Sequence, residues 1–177
     1  MLDTLFRRGL GRDNPMMRVL RDIPLFRELG RRELREVAQT LEIATYAIED
    51  RVFKQGEPGR GMFVVLSGGV DIFQVDEEDG TRMHLSRSEA GAFFGETALL
   101  DDAPRTASAI VFDDAELALF SRYALLNLAE NRPHLGVKIA MHLSQIIAER
   151  LRRTNRGLRS ARDEVEAVQK AMEEDNE

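Results

Sequence analysis

The chain has 177 residues, 43% of them hydrophobic and 32% charged, which supports one globular domain with a helical extension and excludes wholesale disorder. It contains no cysteine, so disulfides, thiol nucleophiles and cysteine-ligated zinc are excluded. The formal net charge of -6 argues against a bulk nucleic-acid-binding surface, which needs clustered positive charge.

No apolar run approaches membrane-spanning length. The opening MLDTLFRRGLGRD lacks the long apolar stretch and cleavage site of a secretory signal. A cytoplasmic protein with no membrane partner is expected. Residues 1–21 read as an N-terminal extension. Within it Leu2, Leu5, Phe6 and Leu10 suit one face of a short amphipathic helix, with Arg7 and Arg8 opposite, packed against the body of the protein rather than on a lipid surface. From Asn14 to Ala44 the pattern is helical, and Leu34, Val37, Ala38 and Leu41 recur at helical spacing. Asp22-Ile23-Pro24 interrupts it and predicts two short helices.

The pattern changes at Tyr46. To Phe120 the chain reads as short strands divided by Gly, Pro, Asp and Ser clusters. Met62 to Leu66 is an apolar run suited to a strand buried on both faces. Ser67-Gly68-Gly69 reads as a turn, Val70 to Val75 as the next strand, and Asp76 to Gly80 as a hairpin loop. Thr106 to Phe112 and Glu116 to Phe120 supply two more strands. So many short antiparallel strands imply a small barrel or jelly roll.

The helical period returns at Ser121. Tyr123, Leu125, Leu126 and Leu128 suit a short helix ending before Pro133, followed by a long one from about His134 to Met172. Along it Val137, Ser144, Leu151, Leu158, Val165 and Met172 recur every seven residues, with Ala140, Ile147, Thr154, Ala161 and Val168 three positions later. Sustained heptads suggest a two-stranded coiled coil and hence a homodimer, although Ser144, Thr154 and Gly157 weaken the seam. Arg150, Arg152, Arg153, Arg156, Arg159 and Arg162 read as a solvated basic face before an acidic end.

Gly91 to Ala109, G-A-F-F-G-E-T-A-L-L-D-D-A-P-R-T-A-S-A, carries the most chemistry. Phe93 and Phe94 end a strand, and Gly95 permits a backbone geometry that a side chain would obstruct. Glu96 to Leu100 can form one helical turn whose free N–H groups favour an anion. Arg105 follows Pro104, and a guanidinium grips a phosphate through two parallel hydrogen bonds. Glu96 suits a ribose hydroxyl instead. This set points to a nucleotide monophosphate, and no G-x-x-x-x-G-K-[ST] motif is present.

The run F-G-E-x-A-L-L-x-x-x-P-R-T-A closely resembles the phosphate-binding cassette of the cyclic-nucleotide-binding domains. Gly56 to Val70 is similar to the family's glycine-marked strand pair, and Ile23-Pro24-Leu25-Phe26 to its N-terminal helical entry. The resemblance covers residues 22–155. It implies an α+β fold, an eight-stranded antiparallel β-roll of jelly-roll type flanked by N-terminal helices and a long C-terminal helix; residues 156–177, beyond the resemblance, read from their heptads as a helical, coiled-coil-like tail with an acidic end. It also implies that Gly95, Thr97, Ala98, Arg105 and Thr106 surround the cyclic phosphate and that Glu96 binds the ribose 2′-hydroxyl. Ala148 to Asn155, A-E-R-L-R-R-T-N, resembles the long helix of the family's transcription-factor branch. That gives Thr154 a contact to the base, Asn155 a contact to the partner's ligand, and Arg150 a place beside Glu96. Leu85 is a further base contact or simple core packing.

Thr106 points towards cGMP and Thr154 towards cAMP. The longer helix match tips the expectation to cAMP, with a cyclic dinucleotide as a third ligand. About twenty residues follow Asn155, too few for the winged helix-turn-helix of the transcription factors, so direct DNA binding is not expected. His84, His134 and His142 are scattered and Ser67 and Ser108 have no base partner, so no catalytic cofactor and no enzyme are expected. The reading is a stand-alone sensor that acts on an unidentified protein effector. The alternative is an interaction protein that acts through the heptad helix and whose pocket is vestigial.

Overall fold

The computed structural model describes residues 15–174, with side chains at 161 and 164–174 outside the description. The expected amphipathic helix of residues 1–14 lies outside the described residues. Helix α1 (Pro15–Asp22) opens on a proline, whose fixed φ suits a first helical turn, and ends where Ile23-Pro24 starts a 3-10 turn (Pro24–Phe26). Helix α2 (Arg31–Ala38) is secured by the Glu33 carboxylate, which accepts from the Gly30 N–H at 2.6 Å. The chain is already extended at Glu42, so the helical reading to Ala44 gives way to strand β1 (Glu42–Tyr46). There Ile43 and Ala44 pair with β6 rather than continue an amphipathic helix.

Strands β2 (Arg51–Phe53), β3 (Gly61–Val75), β4 (Arg82–Glu89), β5 (Phe93–Phe94) and β6 (Ser108–Ser121) complete one antiparallel sheet in the order β1-β6-β3-β4, with β2 on β6 and β5 on β3. The described residues hold six strands, not the expected eight. Ser67-Gly68-Gly69 does not reverse the chain. It bends β3 through β-bulges between Val65 and Val70, and Asp113-Asp114 lies opposite in an equally continuous β6. Ser-Gly-Gly is a signature of turns and of bulges alike, and sequence alone does not separate them. The expected hairpin loop after Val75 is present.

Alternate residues of β3 serve different cores, as the doubly buried run requires. Met62 and Val64 join the helical core of Leu20, Phe26, Leu34 and Ile139, while Phe63 and Val65 face the roll interior with Phe94, Val111 and Leu117. Phe26 meets Phe120 edge-on at 5.9 Å. Met16, Met17 and Leu20 of α1 are buried in the helical core.

Helix α3 (Arg122–Asn131) starts on Ser121, whose Oγ accepts from the Ala124 N–H at 3.1 Å, and α4 (Pro133–Glu174) follows on a proline. Ion pairs Arg132–Glu36 and Lys138–Glu33, at 3.2 and 3.0 Å, and a hydrogen bond between His142 Nε2 and Glu28 at 2.9 Å tie this hairpin to the N-terminal segment. Gly136 lies so close to α3 that a Cβ there would stand 2.5 Å from Ala129 Cα. Gly136→Val is therefore expected to lower stability by about 1–3 kcal/mol, read as a lower melting temperature.

Leu135, Ile139 and Leu143 face the core, and Ile147 packs partly against it. Val137, Met141, Ser144, Leu151 and Leu158 point outward. The outward stripe thus keeps the first heptad series but replaces Ala140 and Ile147 by Met141 and its successors, because Ile147 is taken up by the body. Every described side chain from Leu151 to Ser160 is exposed. No described helix is long and apolar enough to cross a membrane.

Candidate functional site

A pocket of about 210 Å³ lies between the roll and α4. Its lining includes Leu85, Gly95, Glu96, Thr97, Ala98, Arg105, Thr106 and Arg150. Eight of the ten sequence-derived positions therefore meet at one place. Thr154 and Asn155 do not: both are exposed on α4, beyond the last residue of that helix to line the cavity.

The cassette forms as expected. Gly95 adopts the left-handed conformation at φ 72°, which lets β5 turn directly into a 3-10 turn (Glu96–Leu99). A Cβ on Gly95 would stand 2.5 Å from Arg105 Nη1. The loop of Arg105 is fixed by backbone pairing to the glycine-marked segment. Arg105 N–H donates to Glu57 O and Gly56 N–H to Arg105 O, both at 2.8 Å, and Pro58 bridges Pro104.

Arg105 is 8% exposed. Nη1 donates to Gly95 O at 3.0 Å and Nη2 to Gly61 O at 2.7 Å, while Nε is buried with no hydrogen-bond partner among the described residues. Burial pushes the Arg105 pKa down, and the Glu57 and Glu96 carboxylates oppose that shift. An arginine remains charged in either case. A buried cation with an unmatched donor at the mouth of a pocket is suited to one anion.

Glu96 is 5% exposed and accepts from Arg150 Nη1 at 2.5 Å. The Arg150 guanidinium also lies over the Phe93 ring, 5.0 Å from its centroid. One carboxylate oxygen is thereby bound to α4, and a ligand hydroxyl could donate to the other. The arrangement can seat an anion beside a hydroxyl-bearing ring, with Leu85, Ile72 and Phe94 as apolar walls. Among the described residues no group of three or more His, Asp or Glu side chains could hold a metal ion.

The model of the cyclic nucleotide-binding domain matches residues 44–132. The chain belongs to the cyclic nucleotide-binding domain family. Among curated relatives, a cAMP-dependent protein kinase regulatory subunit of Colletotrichum orbiculare is 35% identical over 109 residues, 62% of this chain and 27% of that protein. A CRP-like cAMP-activated global transcriptional regulator of Mycobacterium tuberculosis is 35% identical over 107 residues, 60% of this chain and 46% of that protein. The chain thus matches 27% and 46% of these relatives' lengths, well under two thirds. Of solved structures, the Thermus thermophilus catabolite activator protein superposes with a TM-score of 0.70 at 31% identity, covering 76% of this chain and 61% of that one. A cyclic nucleotide-binding domain from Methylobacillus flagellatus gives 0.69 at 26% identity, with 85% and 80% covered.

For a cyclic nucleotide-binding domain, sequence reasoning missed three contributors. Phe53 of β2 stacks under Arg105, Gly61 lends its carbonyl to the same guanidinium, and Phe93 supports Arg150. Phe53 reads as an ordinary strand residue, and only the rolling of β2 over β6 brings it to the cassette. Phe93 was visible as a strand end, but its role depends on where α4 crosses.

Proposed function

We propose that this chain is a cytoplasmic cyclic-nucleotide sensor that binds a 3′,5′-cyclic purine nucleotide, cAMP in preference to cGMP, and signals through α4 to a protein effector. The observation that carries this reading is the buried Arg105, with its unmatched Nε, in one pocket with the buried Glu96. Two buried charges kept beside a cavity are hard to account for in a vestigial site, since each is costly to bury without a role. The preference for cAMP is supported by relatives described as cAMP-dependent and cAMP-activated. Calorimetry with cAMP, cGMP and cyclic dinucleotides tests it. Silence from all of them at millimolar concentration overturns the reading.

In this reading the cyclic phosphate lies against Arg105 and the amides of Gly95 to Ala98, and the ribose 2′-hydroxyl donates to Glu96. Glu96→Gln is expected to weaken cAMP binding less than a change at Arg105. It also narrows the gap in affinity between cAMP and its 2′-deoxy analogue, measured by competition. An unchanged gap would move the ribose away from Glu96.

The relay is supported by Arg150, which ties α4 to the ligand's own carboxylate. Base contacts from Thr154 and Asn155 would require the exposed segment after Arg150 to close on the pocket. The outward stripe of Val137, Met141, Leu151 and Leu158 supports pairing with a second copy, with Asn155 in the seam where a polar residue fixes register. Leu151→Glu with Leu158→Glu is expected to convert a dimer to a monomer in light scattering. Wild-type protein that is itself monomeric with and without nucleotide would remove the dimer from the proposal.

A further inference from the structure

Arg105 lies between two cavities. One is the 210 Å³ pocket, and the other is a space of about 560 Å³ inside the roll, lined by Ile43, Tyr46, Val52, Phe63 and Leu119 among others. Arg105 and Phe53 line both, so together they form a shared wall. The guanidinium carbon sits 4.1 Å from the centre of the Phe53 ring. Phe53 is in turn held by Phe63 and Phe94, each with its ring centre 5.8 Å away, and those two rings stack on each other at 5.5 Å.

We propose that Phe53 is a positioning residue for the anion site, holding the Arg105 guanidinium in the wall of the smaller pocket and out of the larger cavity. This rests on the nucleotide reading above.

The two carbonyl bonds fix the Nη ends of the fork but leave rotation about the line joining them. A flat cation is restrained against that rotation by an aromatic face packed on it, and the Phe53 ring lies under the guanidinium carbon. Burial makes the restraint stronger, because little water competes for the cation. With a smaller aliphatic side chain at position 53, the guanidinium gains the neighbouring 560 Å³ as room to turn. The bidentate edge is then no longer preorganised, and its ordering must accompany binding.

Calorimetry and side-chain ¹⁵N NMR test this together. Phe53→Leu is expected to weaken cAMP about three- to thirty-fold, while Phe53→Tyr retains wild-type affinity. In an Arg105→Lys background Phe53→Leu should change affinity less than twofold, since the ring acts through the fork. Independently of any ligand, the Arg105 Nε–H resonance, assigned by its loss in Arg105→Lys, should lose its ring-current shift in Phe53→Leu. An equal loss of affinity in both backgrounds would make Phe53 a merely structural residue and overturn the inference. An Arg105 resonance indifferent to Phe53→Leu would overturn it as well. Wild-type protein that binds no cyclic nucleotide defeats the functional reading instead, and the resonance then decides the positioning alone.

Discussion

Arg105→Lys is expected to lower affinity for cAMP by about one to two decades, the equivalent of roughly 1.5–3 kcal/mol for a lost charged hydrogen bond. The structure shows why the exchange of one cation for another is not conservative. Arg105 uses separate nitrogens for Gly95 O and Gly61 O, and its Nε has no hydrogen-bond partner among the described residues. A lysine ammonium is a single point and cannot hold two carbonyls and an anion in one plane. It also gives up the flat contact with Phe53. Calorimetry reads the loss directly. A lysine variant that binds as tightly as the wild type would place the phosphate elsewhere in the pocket. Because two carbonyls also lose a strong donor, a smaller drop in melting temperature should accompany the loss of affinity.

Gly95→Ala is expected to be nearly as damaging to binding and to cost about 1–2 kcal/mol of stability. An L side chain at φ 72° is strained wherever it lies in the fold. Here the added methyl would also stand 2.5 Å from Arg105 Nη1, and the guanidinium can escape only by giving up its bond to Gly95 O. The backbone strain is felt by the folded state alone, whereas the displaced guanidinium is felt by the ligand. Thermal melting and calorimetry therefore separate the two effects. A variant that loses stability but keeps its affinity would show that Arg105 has another route to the anion.

The cassette was the most legible part of the chain because its chemistry is local. A left-handed glycine, one helical turn and an arginine lie within ten residues of one another, and distant segments add only the support of Gly56 to Pro58, Gly61 and Phe53. Long-range features were less legible. The bends of β3 and β6 carry the sequence signature of chain reversals, since bulges and turns draw on the same residues. The heptad pattern located α4 but not which of its faces the body would claim. Ile147 fits a seam by spacing and packs on the core instead, while Met141, outside both heptad series of the sequence, is exposed. Thr154 and Asn155 were assigned through resemblance to a longer helix match, yet position on a helix does not fix whether that helix has closed on its pocket.

The alternation along β3 has a consequence for how the molecule comes apart. Met62 and Val64 belong to the helical layer, while Phe63 and Val65, their immediate neighbours, belong to the roll interior. Slipping this strand by a single residue would deliver every one of these side chains to the wrong side. Neither layer can melt while the other keeps its order, because both hang on the same few peptide units. Roll and helices thus behave as one cooperative unit and not as two foldons. Low-energy opening is expected first in residues 151–160 of α4, where every side chain is exposed.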